Sequence, residues 1–391
     1  MISVSEAQQL IIKHTSTSKN TTIALADALH YVLAEDIIAP MPIPPFNQSA
    51  VDGYAFCLNT NNNSYTIVDE VPAGDTRKTT LNTNEAARIF TGSKVPENCD
   101  TVIMQEFTKV ENNQLFIDDE NLKTGGNIRT KGYQIKQGDT ALSKGTVLNP
   151  AAIGFLATLG ITEVSVFTLP KVSILITGNE LVAPGEKLEE GQIYESNSLM
   201  LKAAFEKMNI SPTISYLKDN QEATTNAITN ALNNADIVVL SGGISVGDYD
   251  FVQQGILENG VNQLFYKVAQ KPGKPLFFGK KENKAVFGLP GNPAAALTCF
   301  YEYIYPYINL SFGLKQAFLN QLQLPISKDI KQKPGRATFL KATTDFKTVT
   351  PLEGQNSDAL QSFAYANALL LTPADSTIIK KGELVNVHLL P

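Results

Sequence analysis

A chain of 391 residues is longer than one ordinary domain and predicts two to four. Its net charge of −6 excludes the clustered basic footprint of a nucleic-acid binder, and no early apolar run resembles a signal peptide or reaches the length of a membrane span. Three scattered cysteines and three histidines point away from a disulfide framework or a Cys/His metal centre, so the expectation is a soluble cytoplasmic protein in which any metal sits on oxygen ligands.

Residues 4–12 and 24–34 read as helices, the first capped by Ser3 or Ser5 with Glu6 near its start. Pro40, Pro42, Pro44 and Pro45 then make a stiff extended connector. From about residue 47 to 139, runs such as YTIVDEV, AARIF, TVIM and QLFI alternate with Gly, Asn and Asp, which predicts a small β domain. NPAAIGFLATLG carries a helix with Asn149 as cap and Pro150 in its first turn, expected to pack back on the first helices and leave the β domain as an insertion. From residue 171 the strands VSILIT, TISYL, IVVL, LFYKVA, PLFFG and AVFGL are interspersed with helices at 196–208, 222–233, after Tyr249 and at 293–307. That pattern predicts a mostly parallel sheet covered on both faces. After Gly313 the runs QLQLPIS, ATFLKATT, TVTPLE, ALLLTP and ELVNVHLL form a second small β domain. The fold class is therefore α/β plus β. The expected division is a helical domain from residues 1–45 and 140–168, a β domain at 46–139, the α/β domain at 169–314 and a β tail at 315–391.

The chemistry gathers at predicted strand ends. DIVVLSGGISVGDYD (236–250) opens as a buried strand and breaks at Ser241, Gly242 and Gly243. Ser245, Gly247, Asp248 and Asp250 follow. GLPGNPAA (288–295) supplies Gly291 and Asn292 ahead of a helix that begins at Pro293. A helix start offers free N–H groups and a positive dipole end, which suits an anion. Lys271 and Lys274 in KPGKP add charge on a proline-stiffened loop, so phosphate or a similar oxyanion is the natural guest. Glu180 in ITGNELVAPG, Asp219 and Asp250 suit a hard divalent cation. Carboxyl ends of parallel strands share one edge of the sheet, so these groups should converge. Asp52 in SAVDGYA and Thr91 in ARIFTGSKVPENCD are further candidates. Taken singly, each stretch is an ordinary turn or helix start. His14, His30 and His388 read as structural or surface residues.

SAVDGYA, RIFTGSKVPENCD, TGNELVAPG with GQIYESNS, SGGISVGDYD, KPGKP and GLPGNP stand in the order found in MoeA-type molybdopterin molybdenumtransferases, the family of the gephyrin E domain. The chain resembles that family over essentially its whole length, including GRATF and SFAYAN near its end. The resemblance implies insertion of molybdate into adenylated molybdopterin, with release of AMP and help from a divalent cation, usually Mg²⁺. It implies a homodimer whose cleft lies between the MogA-like α/β domain of one subunit and the β domain of the other. Its expected partners are the molybdopterin adenylyltransferase and acceptor molybdoenzymes, with no nucleic acid and no membrane. By motif, Glu180, Asp219 and Asp250 line the nucleotide and metal region, and Asp52 and Thr91 reach it from the second subunit. Lys271, Lys274, Arg336 and Ser362 resemble the molybdate-binding set. Arginine and lysine supply the fixed N–H donors that a tetrahedral dianion needs. The chain departs from the family pattern at Ala294 and Ala295 after PGNP, at Asn179 in TGNEL, at Gln134, and at Asn47-Gln48 before Ser49. Two other functions fit parts of the pattern. A molybdopterin adenylyltransferase would consume ATP, and a non-catalytic peptide-binding scaffold of the same fold would bind neither molybdate nor tungstate.

Overall fold

The computed structural model describes residues 1–59, 61–217, 220–244 and 251–391. The chain divides into two compact units: residues 1–21, 30–34 and 165–391, and residues 22–29 and 35–164.

The smaller unit is built on a six-stranded sheet, in the order Thr101–Met104, Gly53–Phe56, Glu85–Ile89, Ser64–Val71, Gln114–Ile117, Thr108–Glu111. Its pairings are antiparallel except that of Ser64–Val71 with Glu85–Ile89. Side chains alternate across the sheet, so Ala55, Ala87, Ile89 and Val102 fill one core while Phe56, Tyr65, Ala86 and Ile103 fill another. The helix Pro150–Thr158 starts as the sequence predicts, with Asn149 Oδ1 accepting from the Ala152 N–H at 2.8 Å.

In the larger unit, the strands Thr213–Leu217, Val172–Thr177, Ile237–Ser241 and Lys284–Leu289 lie side by side and parallel. Phe277–Lys281 and Asn262–Tyr266 extend the sheet by antiparallel pairings. All of Val172–Thr177 and Ile237–Ser241 is buried, which is why these strands read as continuous apolar runs rather than alternations. One face packs Phe278, Phe287, Tyr303 and Tyr307, and the other Leu240, Ile228, Val252 and Phe277. Phe278 and Phe287 stack at 4.8 Å, and Tyr307 meets Phe287 edge-on at 5.5 Å. The first helix, Val4–His14, joins this core through Val4, Ala7 and Ile11. Its capping box is complete, with Ser3 Oγ accepting from the Glu6 N–H and Glu6 Oε2 accepting from the Ser3 N–H.

The predicted helix at 24–34 is not formed. Leu25–Asp27 makes only a short 3-10 turn. His30 takes φ 68°, a left-handed conformation that stops helix propagation, and Leu33 bridges Val166 as extended chain. The predicted helix at 293–307 is a longer run, Pro293–Cys299 and Tyr305–Ser311 joined by a π turn at Phe300–Ile304. That turn carries Glu302, buried against His388 of the tail with Nδ1 and Oε1 2.8 Å apart.

The tail sheet runs Ala337–Thr344, Ala368–Thr372, Leu384–Leu389, Gln321–Pro325, all antiparallel, over a core of Ile326, Val349, Leu370 and Val387. Its outer neighbour is the two-residue strand Gln270–Lys271, which pairs in parallel with Ala337 and Thr338.

Candidate functional site

The carboxyl ends of the parallel strands open into a cleft of about 600 Å³. Ser241, Gly242, Gly243, Gly291, Asn292 and Glu180 line it. Gly242 holds φ 94°, and a Cβ there would stand 2.3 Å from the Thr177 carbonyl oxygen. Only glycine lets the two strand ends approach this closely. Asn197, at the start of the helix Asn197–Glu206, ties the edge together: its Nδ2 donates to Ser241 Oγ at 2.9 Å and to the Gly291 carbonyl at 2.7 Å. Nothing in GQIYESNS marks Asn197 out for this role. A buried asparagine after an acidic turn is indistinguishable from a cap until its two partners, 44 and 94 residues away, are known. Asn197→Leu is expected to cost about 1–3 kcal/mol, because it removes the partner of the buried Ser241 hydroxyl and the tie to the Gly291 carbonyl. Urea unfolding measures this, and a midpoint unchanged from wild type would contradict it.

Beside the cleft lies a second depression of about 400 Å³, lined by Lys271, Lys274, Arg336, Asn292, Asn356, Ser357 and Asp358. Pro275, Pro290, Asn292 and Asp358 line both hollows. The parallel pairing of Lys271 with Thr338 is what brings Arg336 next to the lysine loop. Gln270, fully buried, holds that loop from beneath. Its Nε2 donates to the Pro272 carbonyl at 3.1 Å, and its Oε1 accepts from the Tyr303 hydroxyl. Burial keeps the Tyr303 phenol protonated far above its usual range, so it remains a donor.

The remaining expected residues fall as follows. Ser362 does not line the depression: its hydroxyl donates to the Gly354 carbonyl at 2.7 Å and the Ala359 carbonyl at 3.2 Å. The serine at the depression is Ser357, whose Oγ accepts from Asn292 Nδ2 at 2.7 Å. At the helix start, the Ala295 N–H donates to the Ser357 carbonyl at 3.1 Å. Ser245, Asp219 and Asp250 lie outside the described residues. Among the described residues no three His, Cys, Asp or Glu side chains group as a metal site; Glu180 and Asp358 are exposed carboxylates on the cleft wall.

Asp52 and Thr91 meet in the smaller unit. Asp52 Oδ1 accepts from the Thr91 N–H at 2.7 Å and the Thr91 hydroxyl at 2.8 Å. These bonds, the main-chain one first, hold the Asp52 carboxyl below the usual carboxylate range, and the nearby Arg88 charge adds to them. The native state therefore binds fewer protons than the unfolded chain between the two pKa values. The stabilisation is full above the ordinary value and is lost as pH falls through the lowered one. Thr91→Val removes the hydroxyl donor and is expected to move the Asp52 titration, followed by NMR, part of the way up. A titration that stays where it was would rule the bond out as a cause.

The α/β sheet carries a cleft at its strand ends, and the same chain carries further small β sheets. Residues 2–160 match the family model of the MoeA N-terminal region (domains I and II), residues 173–310 that of a probable molybdopterin binding domain, and residues 323–390 that of the MoeA C-terminal region (domain IV). A Staphylococcus epidermidis protein named molybdopterin molybdenumtransferase is 35% identical over 403 residues, covering 99% of this chain and 95% of its own. A Staphylococcus aureus protein of the same name is 33% identical over 400 residues, with the same coverage. The crystal structure of the molybdopterin biosynthesis MoeA protein from Pyrococcus horikoshii OT3 superposes with a TM-score of 0.87 at 31% identity, over the whole of both chains. The chain belongs to the MoeA-type molybdopterin molybdenumtransferase family and is a transferase of molybdenum cofactor biosynthesis. Among the described residues no helix is long and apolar enough to cross a membrane.

Proposed function

We propose that the protein inserts molybdate into adenylated molybdopterin and releases AMP. The observation that carries this reading is the continuity of the two hollows. Lys271, Lys274 and Arg336 line one, Gly242 and Gly243 the other, and Asn292 and Asp358 stand on the shared wall. Among the described residues none of the three cations is in an ion pair, so their donors are available to a dianion. On this reading the phosphates of the nucleotide–pterin lie over the bare backbone of Gly242 and Gly243, near Ser241 and Gly291. Molybdate lies against the lysine loop. Holding both in adjoining hollows converts their encounter into a step within one complex.

A divalent cation, Mg²⁺ in this reading, would be held by the carboxylates of Glu180, Asp219 and Asp250, and would neutralise phosphate charge as AMP departs. The exposed Asp52–Thr91 pair is assigned to the cleft of a second copy of the chain in a homodimer, a reading supported by the family resemblance. Four domains, with boundaries at residues 45/46, 139/140, 168/169 and 314/315, remain our division of the chain.

Purified protein given adenylated molybdopterin, Mg²⁺ and molybdate should release AMP. Release that is no faster with molybdate than without it would overturn the proposal. Release that instead requires ATP would favour adenylyl transfer.

A further inference from the structure

Lys341, on the strand Ala337–Thr344, is 3% exposed, and its partners are unusual for a buried cation. A buried ammonium is costly unless paired and hydrogen-bonded, and a carboxylate is the ordinary partner. Here Nζ donates to three main-chain carbonyls of one loop: Gly354 at 2.7 Å, Asn356 at 3.1 Å and Ala359 at 2.9 Å. An ammonium has three N–H donors, and all are spent within six residues of chain. The loop is clasped again by Gln355, whose Oε1 accepts from the Lys341 N–H at 3.0 Å and whose Nε2 donates to the Lys341 carbonyl at 2.8 Å. Ser362 donates to two of the same carbonyls, Gly354 and Ala359.

This loop has no regular structure of its own, yet it supplies Asn356, Ser357 and Asp358 to the lysine depression, and Asp358 to the glycine cleft as well. An apolar side chain of similar length would fill the space under it without the desolvation cost of a charge. What an apolar residue cannot do is fix three carbonyls at once. We propose that Lys341 is a positioning residue for the oxyanion depression. Its ammonium holds the 354–359 loop so that Ser357 and Asp358 stand as the wall between molybdate and the nucleotide end of the cleft. The proposal rests on the oxyanion reading of that depression. It also gives Ser362 a place as a second clasp on the same loop.

The test is calorimetric titration of the full chain with molybdate and, separately, with AMP as a probe of the glycine cleft. Lys341→Met is expected to bind molybdate about 10- to 100-fold more weakly, the cost of displacing a positioned wall by about an ångström. AMP affinity should fall by a smaller factor, because of this loop only Asp358 lines the glycine cleft, and in turnover the loss should appear in KM for molybdate before kcat. Ser362→Ala should shift molybdate affinity in the same direction by less, and the double variant should be no weaker than Lys341→Met alone, because both residues hold one loop. If Lys341→Met does not fold, Gln355→Ala and Ser362→Ala decide, and their losses must be larger for molybdate than for AMP. Unchanged molybdate affinity, or equal losses of molybdate and AMP, would overturn the proposal while leaving the oxyanion site intact. Wild-type protein that binds no molybdate would overturn both.

Discussion

Lys271→Ala is expected to weaken molybdate binding about 10- to 150-fold, the ~1.5–3 kcal/mol of one hydrogen bond to a charged group. The loss is bounded because Lys274 and Arg336 line the same depression and remain. AMP binding in the glycine cleft should be unaffected, since Lys271 does not line it. Release of AMP at low molybdate should fall by the same factor as the affinity, and recover in part as molybdate is raised. Lys271→Arg keeps the charge but replaces a compact ammonium with a planar fork, so it should restore only part of the affinity. The variants are compared by calorimetry with molybdate and with AMP. A Lys271→Ala protein with wild-type molybdate affinity would remove the lysine loop from the site.

The second large effect belongs to the backbone. Gly242→Ala places a Cβ 2.3 Å from the Thr177 carbonyl oxygen on a residue at φ 94°. The left-handed conformation alone costs about 1–3 kcal/mol for a residue with a side chain. The contact is with main chain of the neighbouring strand, which cannot swing aside as a flexible side chain would. A total of about 3 kcal/mol or more is expected, read as a shift of the urea midpoint at constant slope. AMP affinity should fall together with stability, because the strand ends that separate are the floor of the cleft. A variant with wild-type stability would mean that the two strand ends tolerate separation.

The architecture was legible where the apolar pattern was long and bounded by turn residues. Val172–Thr177 and Ile237–Ser241 read as buried strands, and Ser3 with Glu6, and Asn149 with Pro150, read as helix starts. The helix expected at 24–34 failed because LADALHYVLAED has helical spacing, while its fate is decided by one left-handed residue, His30. At the cleft, glycines at strand ends were legible because the backbone demand on them is local. Arg336 entered only through the family motif, since a two-residue parallel pairing leaves no periodicity to read. Lys341 donates its ammonium only to main-chain carbonyls, and carbonyls carry no sequence identity, while Asn197 joins one such carbonyl and a serine hydroxyl that are both remote in sequence. Ser362, carried over by motif, bonds the loop carbonyls of Gly354 and Ala359.

The strand Gln270–Lys271 belongs by sequence to the α/β domain and by hydrogen bonding to the tail sheet. An oxyanion gripped by Lys271 on one side and Arg336 on the other would act as a crossbrace between those two parts. Docking of the tail and affinity for the anion then become one free energy seen from two ends, and each must strengthen the other to the same degree. At a hundred times its dissociation constant the anion adds about 2.7 kcal/mol to the folded state. Tail amides should accordingly exchange with solvent more slowly when molybdate is abundant.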